Sequence, residues 1–381
     1  MGKKIRVWDG TAWQDVSPSL PYTAIHSAQA SMPATGVDGQ VWLDTDGTLA
    51  GQDFVPLSGG TMTGNLNTPS INSGGITGRN YLINGGFDFW QRGTTWSGSG
   101  YSAADRWYVS IAGTTTMTRE DSDLPSNSQF KYGVRITTGD SASYGQLYQA
   151  LEEMIVRNIR GKTVTVSGYV KVSGNYSGSQ YLNVDFNTST DALLSQSTNT
   201  SSTPIGNAVD AANWKYFSVS FVIPTNAYGL RLGFIPDQAQ PSGSIVRYTG
   251  LKMELGSQAT PFNRAGGTIA GELAACQRYY YKTYNIDVTP GTVTDPGYLV
   301  CDIPSFRITR HGFRLPVTMR TTPSVAVYNP ATGGAGTIRT NAATNFTLNG
   351  PFAIGTSGGF FDFNPSSGEY GVYHLVAQAE L

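Results

Sequence analysis

Between residues 162 and 172 the chain alternates without a break. Val164, Val166, Gly168, Val170 and Val172 share one parity, with Thr, Ser, Tyr and Lys on the other. A period of two marks a half-buried β-strand, because successive side chains point to opposite faces of a sheet. The pattern recurs over 106–118, where Trp107, Val109 and Ile111 share a parity, and over 215–223, 229–235 and 245–255. Gly, Asn, Pro or Ser clusters bound each run, and strands spaced in this way predict an antiparallel β-sandwich. Residues 144–160 read two ways. Leu147, Leu151, Met154 and Ile155 suit a helix, while 146–151 suits a strand. We read a strand followed by one helical turn, ended at Gly161.

Weaker β patterning lies on both sides. Val7-Trp8-Asp9-Gly10-Thr11-Ala12-Trp13 sets Asp-Gly between β-formers, which predicts a type I′ hairpin, and Val41-Trp42-Leu43-Asp44-Thr45-Asp46-Gly47-Thr48 repeats the idea. Residues 1–55 thus form a small module with too few large apolar residues for a core of its own. In residues 56–78, glycines 59, 60 and 64 lose much entropy on ordering, and only Leu57, Met62 and Leu66 offer apolar surface in 56–67. The stretch orders only by pairing, most simply with copies of itself; a flexible linker is the alternative. Past residue 265 a short helix is expected at 271–278, running into Tyr279-Tyr280-Tyr281, and a last strand at 370–381. Alternation among Tyr279, Tyr280, Tyr281 and Tyr284 favours a trimer or domain interface over a binding patch.

Composition narrows the class. Lys plus Arg is 25 and Asp plus Glu is 26, a net charge of −1. No basic stripe is visible, which argues against nucleic acid as a partner. Charged residues are only 13%, and 46 Gly and 21 Tyr stand in their place, the turn-and-strand mixture of extracellular or virion β proteins. Cys276 and Cys301 make neither a disulfide framework nor a metal spacing, so buried free thiols are expected, compatible with a reducing cytoplasm. No apolar run approaches the ~18 residues of a membrane span, and no secretory h-region follows Met1. A protein of this kind acting outside its cell of synthesis leaves by lysis.

Catalytic signals are thin. Gly355-Thr356-Ser357-Gly358-Gly359, with His374 downstream, has the form of a hydrolase elbow, but both flanks read as β where the elbow needs a strand-to-helix turn. Asp105, Asp121, Asp123, Glu152 and Glu153 are candidates for a glycosidase pair by count only. No β-helix repeat is present. We expect no enzyme.

Pro56-Leu57-Ser58-Gly59-Gly60-Thr61-Met62-Thr63-Gly64-Asn65-Leu66 resembles a segment that recurs in bacteriophage tail fibres, where it joins an anchoring head to the receptor-binding part. Val7 to Thr11 resembles modules at the end that docks onto the tail. Asn84-Gly85-Gly86-Phe87-Asp88-Phe89-Trp90-Gln91 and Lys252-Met253-Glu254-Leu255-Gly256-Ser257-Gln258-Ala259-Thr260-Pro261-Phe262 resemble the ends of jelly-roll carbohydrate-binding modules, and residues 271–281, 313–325 and 370–381 resemble a fibre tip. The resemblance implies a homotrimeric virion protein: 1–55 docks on a tail, baseplate or adaptor protein, 56–78 is an extended trimerising stalk, 79–264 is a jelly roll, and 265–381 is a second β-sandwich. It would be assembled in the host cytoplasm and bind host envelope polysaccharide. A polysaccharide-degrading spike and a purely structural fibre component are the rival readings.

Sugar rings stack on aromatic faces while amides bind their hydroxyls. Trp90, Trp96, Trp107, Tyr108, Tyr148 and Trp214 supply the first, and Asn183, Asn187 and Gln149 the second. Trp90 and Trp107 also suit a core; Trp96, in a Gly/Ser loop, is the one expected in solvent. The resemblance also implies a structural Ca²⁺ near Asp88 and Glu254, although Thr249-Gly250 replaces the usual acidic pair. No other cofactor is implied.

Overall fold

The computed structural model describes residues 5–8, 11–15, 27–29, 41–44 and 78–381, apart from 102–103, 127–128, 142, 192–197, 208–212, 304–308, 344 and 364–369. The chain divides into two compact units, 1–73 and 74–381. In the first, four strands form one sheet in the order Trp13–Asp15, Ile5–Trp8, Val41–Asp44, Ser27–Gln29. Trp8 pairs with Trp13, so the connection holds four residues rather than the two of a type I′ turn. Val41–Asp44 pairs antiparallel with Ile5–Trp8 and parallel with Ser27–Gln29, so it extends the first hairpin instead of starting a second. The expected stalk, 56–78, lies outside the described residues except for Gly78.

The second unit is mainly β. One six-stranded antiparallel sheet runs Thr198–Asn207, Ser179–Asn187, Gly229–Pro236, Tyr144–Leu151, Tyr108–Ala112, Gly100–Tyr101. A second runs Lys215–Val222, Thr163–Gly174, Ser244–Leu255, Gly133–Thr137, Thr116–Glu120, Thr95–Trp96. Their inward parities meet in one core. Val164, Val166, Val170 and Val172 from the alternating strand are buried with Leu147, Leu182, Leu232 and Phe234 from the facing sheet. Phe217 and Tyr248 reach across to Phe234, with ring centroids 6.2 and 5.5 Å away. Each such side chain contributes about 1.5–3 kcal/mol by leaving water. The ambiguous span is a strand to Leu151 and then a helix, Glu153–Ile159, longer than the single turn expected. Gly161 follows it at φ +67.

Residues 84–91 are a plug that closes one end of this core. Asn84 holds φ +58, and its side-chain amide bonds the carbonyls of Phe89 (2.9 Å) and Asp105 (3.0 Å). A Cβ on Gly85 would lie 1.9 Å from the Leu251 carbonyl oxygen, so backbone runs against backbone there.

The C-terminal strands link into one hydrogen-bonded network around the last of them, Tyr370–Gln378, which pairs with Tyr280–Lys282, Leu299–Asp302, Ser324–Tyr328 and Thr337–Thr340. The chain end thus closes this part, over a separate core including Phe313, Met319, Phe361, Tyr373 and Leu375. The short helix is Ile269–Gln277, capped by the Thr268 hydroxyl. Cys276 and Cys301 are free and buried, as expected.

A charged, aromatic seam joins the two parts. The Arg106 guanidinium lies 3.5 Å over the Tyr279 ring and Arg92 lies 3.7 Å over Tyr280. Arg106 and Arg92 both bond the Glu380 carboxylate, and Arg278 and the Tyr279 hydroxyl both bond Glu152. Tyr279 and Tyr280 are therefore buried inside this unit, between the sandwich and the C-terminal strands.

Candidate glycan-binding faces

Three residues singled out from the sequence fall into one row on the outer face of the first sheet. Tyr101 pairs with Tyr108, Tyr108 with Tyr148, Tyr148 with Gly233, and Gly233 with Asn183. Neighbouring strands stand about 4.8 Å apart, so the row crosses five strands. Ring centroids of Tyr101 and Tyr108 are 5.3 Å apart, and those of Tyr108 and Tyr148 6.5 Å. A Cβ on Gly233 would lie 2.6 Å from the Tyr148 ring, so glycine there lets the ring lie against the backbone. The Tyr148 hydroxyl donates to the Gln146 side chain at 2.6 Å. Arg231 sits 4.5 Å from the Tyr148 ring centroid and is paired with Asp185 at 2.7 Å. Burial pushes the Tyr148 phenol up to about 12, so it stays a neutral donor. All four row side chains remain half-buried, with part of each in solvent.

The other predicted residues lie elsewhere. Trp90 and Trp107 are 2% and 0% exposed, and their indole N–H groups donate to the carbonyls of Phe87 (2.6 Å) and Asn84 (2.9 Å). Gln149 is buried too and exchanges two 2.8 Å hydrogen bonds with the Ile83 backbone. These three are core residues and leave the list of sugar contacts. Trp96 is 39% exposed, as expected, but on the far edge strand of the second sheet. Trp214 is half-buried and donates to Asp123 at 3.2 Å. Asn187 accepts from Ser189 and Thr190 in a turn.

The outer face of the second sheet carries an open cleft of ≈ 530 Å³ that the sequence reading missed. Its rings form an edge-to-face chain. Tyr216 to Tyr169 is 5.2 Å between centroids, Tyr169 to Phe130 5.9 Å, and Phe130 to Phe262 5.0 Å. The floor is a β-bulge: Ser167 pairs with Lys252 and Tyr169 with Thr249, so Gly250 and Leu251 both oppose Gly168. Gly250 holds φ +63, and a Cβ on it would lie 2.4 Å from Phe130. Bulges of this kind place glycine in the left-handed region. The Thr249-Gly250 departure noted in the sequence therefore makes room for an aromatic wall.

The carboxylates proposed for calcium hold the opposite wall. Glu254 accepts from the Thr260 backbone N–H (2.7 Å) and hydroxyl (2.6 Å). The Lys252 ammonium lies 3.2 Å from Glu254 and donates to the Thr260 hydroxyl (2.6 Å) and Pro261 carbonyl (2.9 Å). Asp88 is paired with Arg264 at 2.8 Å. Asp88 and Glu254 thus have different cationic partners from this chain, an arrangement that does not fit a shared ion. Among the described residues no three His, Cys, Asp or Glu side chains are grouped to hold a metal.

Four of the five carboxylates named as catalytic candidates are engaged likewise, and Asp121 is exposed. Asp105 accepts from the Gln91 side chain at 2.6 Å, Glu152 is in the seam, Glu153 pairs with Arg157, and Asp123 with Lys171. Thr356 and Ser357 form a hairpin turn between two strands, and buried His374 stacks on Tyr284 at 3.7 Å.

No protein-family model and no curated protein matches the chain. Among solved structures, the enzymatically active domain of bacteriophage CBA120 tailspike protein 4 is similar at 15% identity and TM-score 0.32, over 46% of this chain and 21% of that one. The CBM22-1 xylan-binding domain of Paenibacillus barcinonensis Xyn10C is similar at 13% identity and TM-score 0.30, over 48% of this chain and 98% of that domain. A CBM4 structure follows at 14% identity and TM-score 0.27. The chain thus spans about a fifth of the tailspike domain's length.

Proposed function

We propose that this chain is the receptor-binding protein of a phage tail fibre, attaching the virion to host envelope polysaccharide through the tyrosine row of the first sheet. One observation carries the site: Tyr101, Tyr108, Tyr148 and Asn183, from four strands scattered over the sequence, are brought into one line in which each side chain keeps part of its surface in solvent. Pyranose C–H faces stack on the rings, and the Asn183 amide meets the hydroxyls between them. The sequence resemblance to fibre segments supports the virion setting. In that setting the chain is a homotrimer, docked by its N-terminal sheet and released from the host by lysis. Three weak sites on one body gain avidity without new contacts.

Binding without cleavage is the reading we favour. Retaining or inverting hydrolysis needs two carboxyl groups about 5–9.5 Å apart across the sugar, whereas Asp185 beside the row is taken by Arg231. The test is the affinity of the full chain for purified envelope polysaccharide before and after Tyr148→Ala. A fall of about tenfold, roughly one stacked ring, is expected. Unchanged affinity rejects the row as the site. Shortened polysaccharide favours a degrading spike, and no binding to any envelope glycan favours a structural component.

A further inference from the structure

We infer that the cleft on the second sheet is a second glycan site, one that takes an uncharged saccharide; the inference rests on the glycan-binding reading of the sandwich. The cleft's ≈ 530 Å³ lies within the few hundred to about 1,000 Å³ of small-ligand sites. Four rings, Tyr216, Tyr169, Phe130 and Phe262, turn alternately edge and face along it. All four rings keep part of their surface in solvent. Tyr216, 48% exposed at the mouth, is the platform a sugar meets first. The polar lining is uncharged: Ser126, Ser167, Thr260, whose hydroxyl is held by Glu254 and Lys252, and Gln129, whose amide donates to the Phe262 carbonyl at 3.1 Å. Aromatic surface beside uncharged polar side chains suits a pyranose, which has apolar C–H faces and an equatorial belt of hydroxyls.

Charge sets the ligand class. No charged side chain is found among the described residues lining the cleft. Lys252, beneath the wall, is 1% exposed, and its ammonium is held by Glu254, Thr260 and Pro261. A uronic or sialic acid would bring a carboxylate to a site with no counter-charge and lose its hydration there. A neutral sugar loses no such hydration. The first face differs: Arg231 and Asp185 stand beside the tyrosine row. The sandwich therefore presents two unlike faces on opposite sides, and one module can hold two glycan strands, or two parts of one.

The experiment is equilibrium binding of the full chain to neutral hexasaccharides (of glucose, xylose, mannose and galactose) and to an oligogalacturonate, for the unaltered protein and for Tyr216→Ala, Tyr216→Phe and Tyr148→Ala. We expect a neutral hexasaccharide to lose about tenfold in affinity in Tyr216→Ala and to recover most of it in Tyr216→Phe, which keeps the ring. Its affinity should change less than about twofold between about 50 mM and about 0.5 M NaCl, since no ion pair is involved. Neutral binding that is lost in Tyr148→Ala and untouched in Tyr216→Ala overturns the second site while leaving the first face standing. Preference for the oligogalacturonate, weakened by Tyr216→Ala, overturns the neutral assignment. Absence of binding to every glycan overturns the inference together with the reading it rests on.

Discussion

The sandwich carries aromatic side chains inside and out, and the two sets differ in how much of each ring water reaches. Trp90 and Trp107 donate their indole N–H groups to carbonyls of the 84–91 plug, so burial leaves no donor without an acceptor. The tyrosines of the row and Tyr216 keep part of their surface in water. Both sets are aromatic; position decides whether a ring is packed inside the fold or kept partly in solvent. The seam with the C-terminal part is a third case, where rings are buried against guanidinium groups, Arg106 on Tyr279 and Arg92 on Tyr280.

The largest effect that sharpens this contrast is on the inner set. Trp107→Ala should lower the free energy of unfolding by about 3–5 kcal/mol, the usual cost of deleting a fully buried large ring. Denaturant melts of the full chain measure it, and a loss under about 1 kcal/mol would break the inner assignment. Next is the seam. Glu380→Ala leaves buried Arg106 without its carboxylate and Arg92 with only Asp105, 3.7 Å away, which should cost about 3 kcal/mol. A variant as stable as the parent would mean that the last residues are not part of the fold's support.

A smaller effect is read against pH. Burial, opposed by Arg92, holds the Asp105 carboxyl at about 6, above its ordinary 3.8. The folded chain then grips this proton more tightly than the unfolded one, so this group's contribution to stability falls as pH rises from about 4 to about 6 and levels off above. Glu120 acts in the opposite sense: against the burial that would raise it, hydrogen bonds from Arg247 and Ser122 hold it at about 2. Its contribution is lost as pH falls from about 4.5 toward 2. Urea midpoints of Asp105→Asn should lack the decline between about pH 4 and pH 6; an unchanged slope contradicts the assignment. The smallest stability effect belongs to the outer set. Tyr148→Ala should cost about 1 kcal/mol or less while weakening glycan binding about tenfold, so the two measurements separate a supporting ring from a contacting one.

Much of this fold is legible in the alternation. Four of the five periodic runs hold a strand each, while 106–118 holds two, Tyr108–Ala112 and the start of Thr116–Glu120, with a turn between them. The parity carrying Val164 to Val172 is buried throughout, and Thr165 and Ser167 of the other parity are buried with it. The 146–151 strand with a helix behind it follows from where Leu147 and Leu151 turn inward. Site residues are less legible, because stacking on sugar and packing in a core ask for the same side chains. Trp90, Trp107 and Gln149 looked like ligand contacts for that reason. The 84–91 motif, which carries the resemblance to carbohydrate-binding modules, is a structural plug, and its glycine at 85 answers a backbone approach that no local pattern reveals. The cleft was missed because Phe130, Tyr169, Tyr216 and Phe262 meet only through strand register and a bulge at Gly250. One signal was available. Tyr169 sits on the polar parity of a strand whose other parity is all Val and Gly, and an aromatic on the solvent side of a strand is what a binding face needs.

The central claim is that the sandwich binds glycan without cutting it. The direct measurement is size-exclusion of purified host envelope polysaccharide with and without the full chain. The account predicts that protein and polysaccharide co-elute at larger apparent size, with the polysaccharide length unchanged after prolonged incubation. Elution as shorter fragments, or no shift with any candidate polysaccharide, would contradict it.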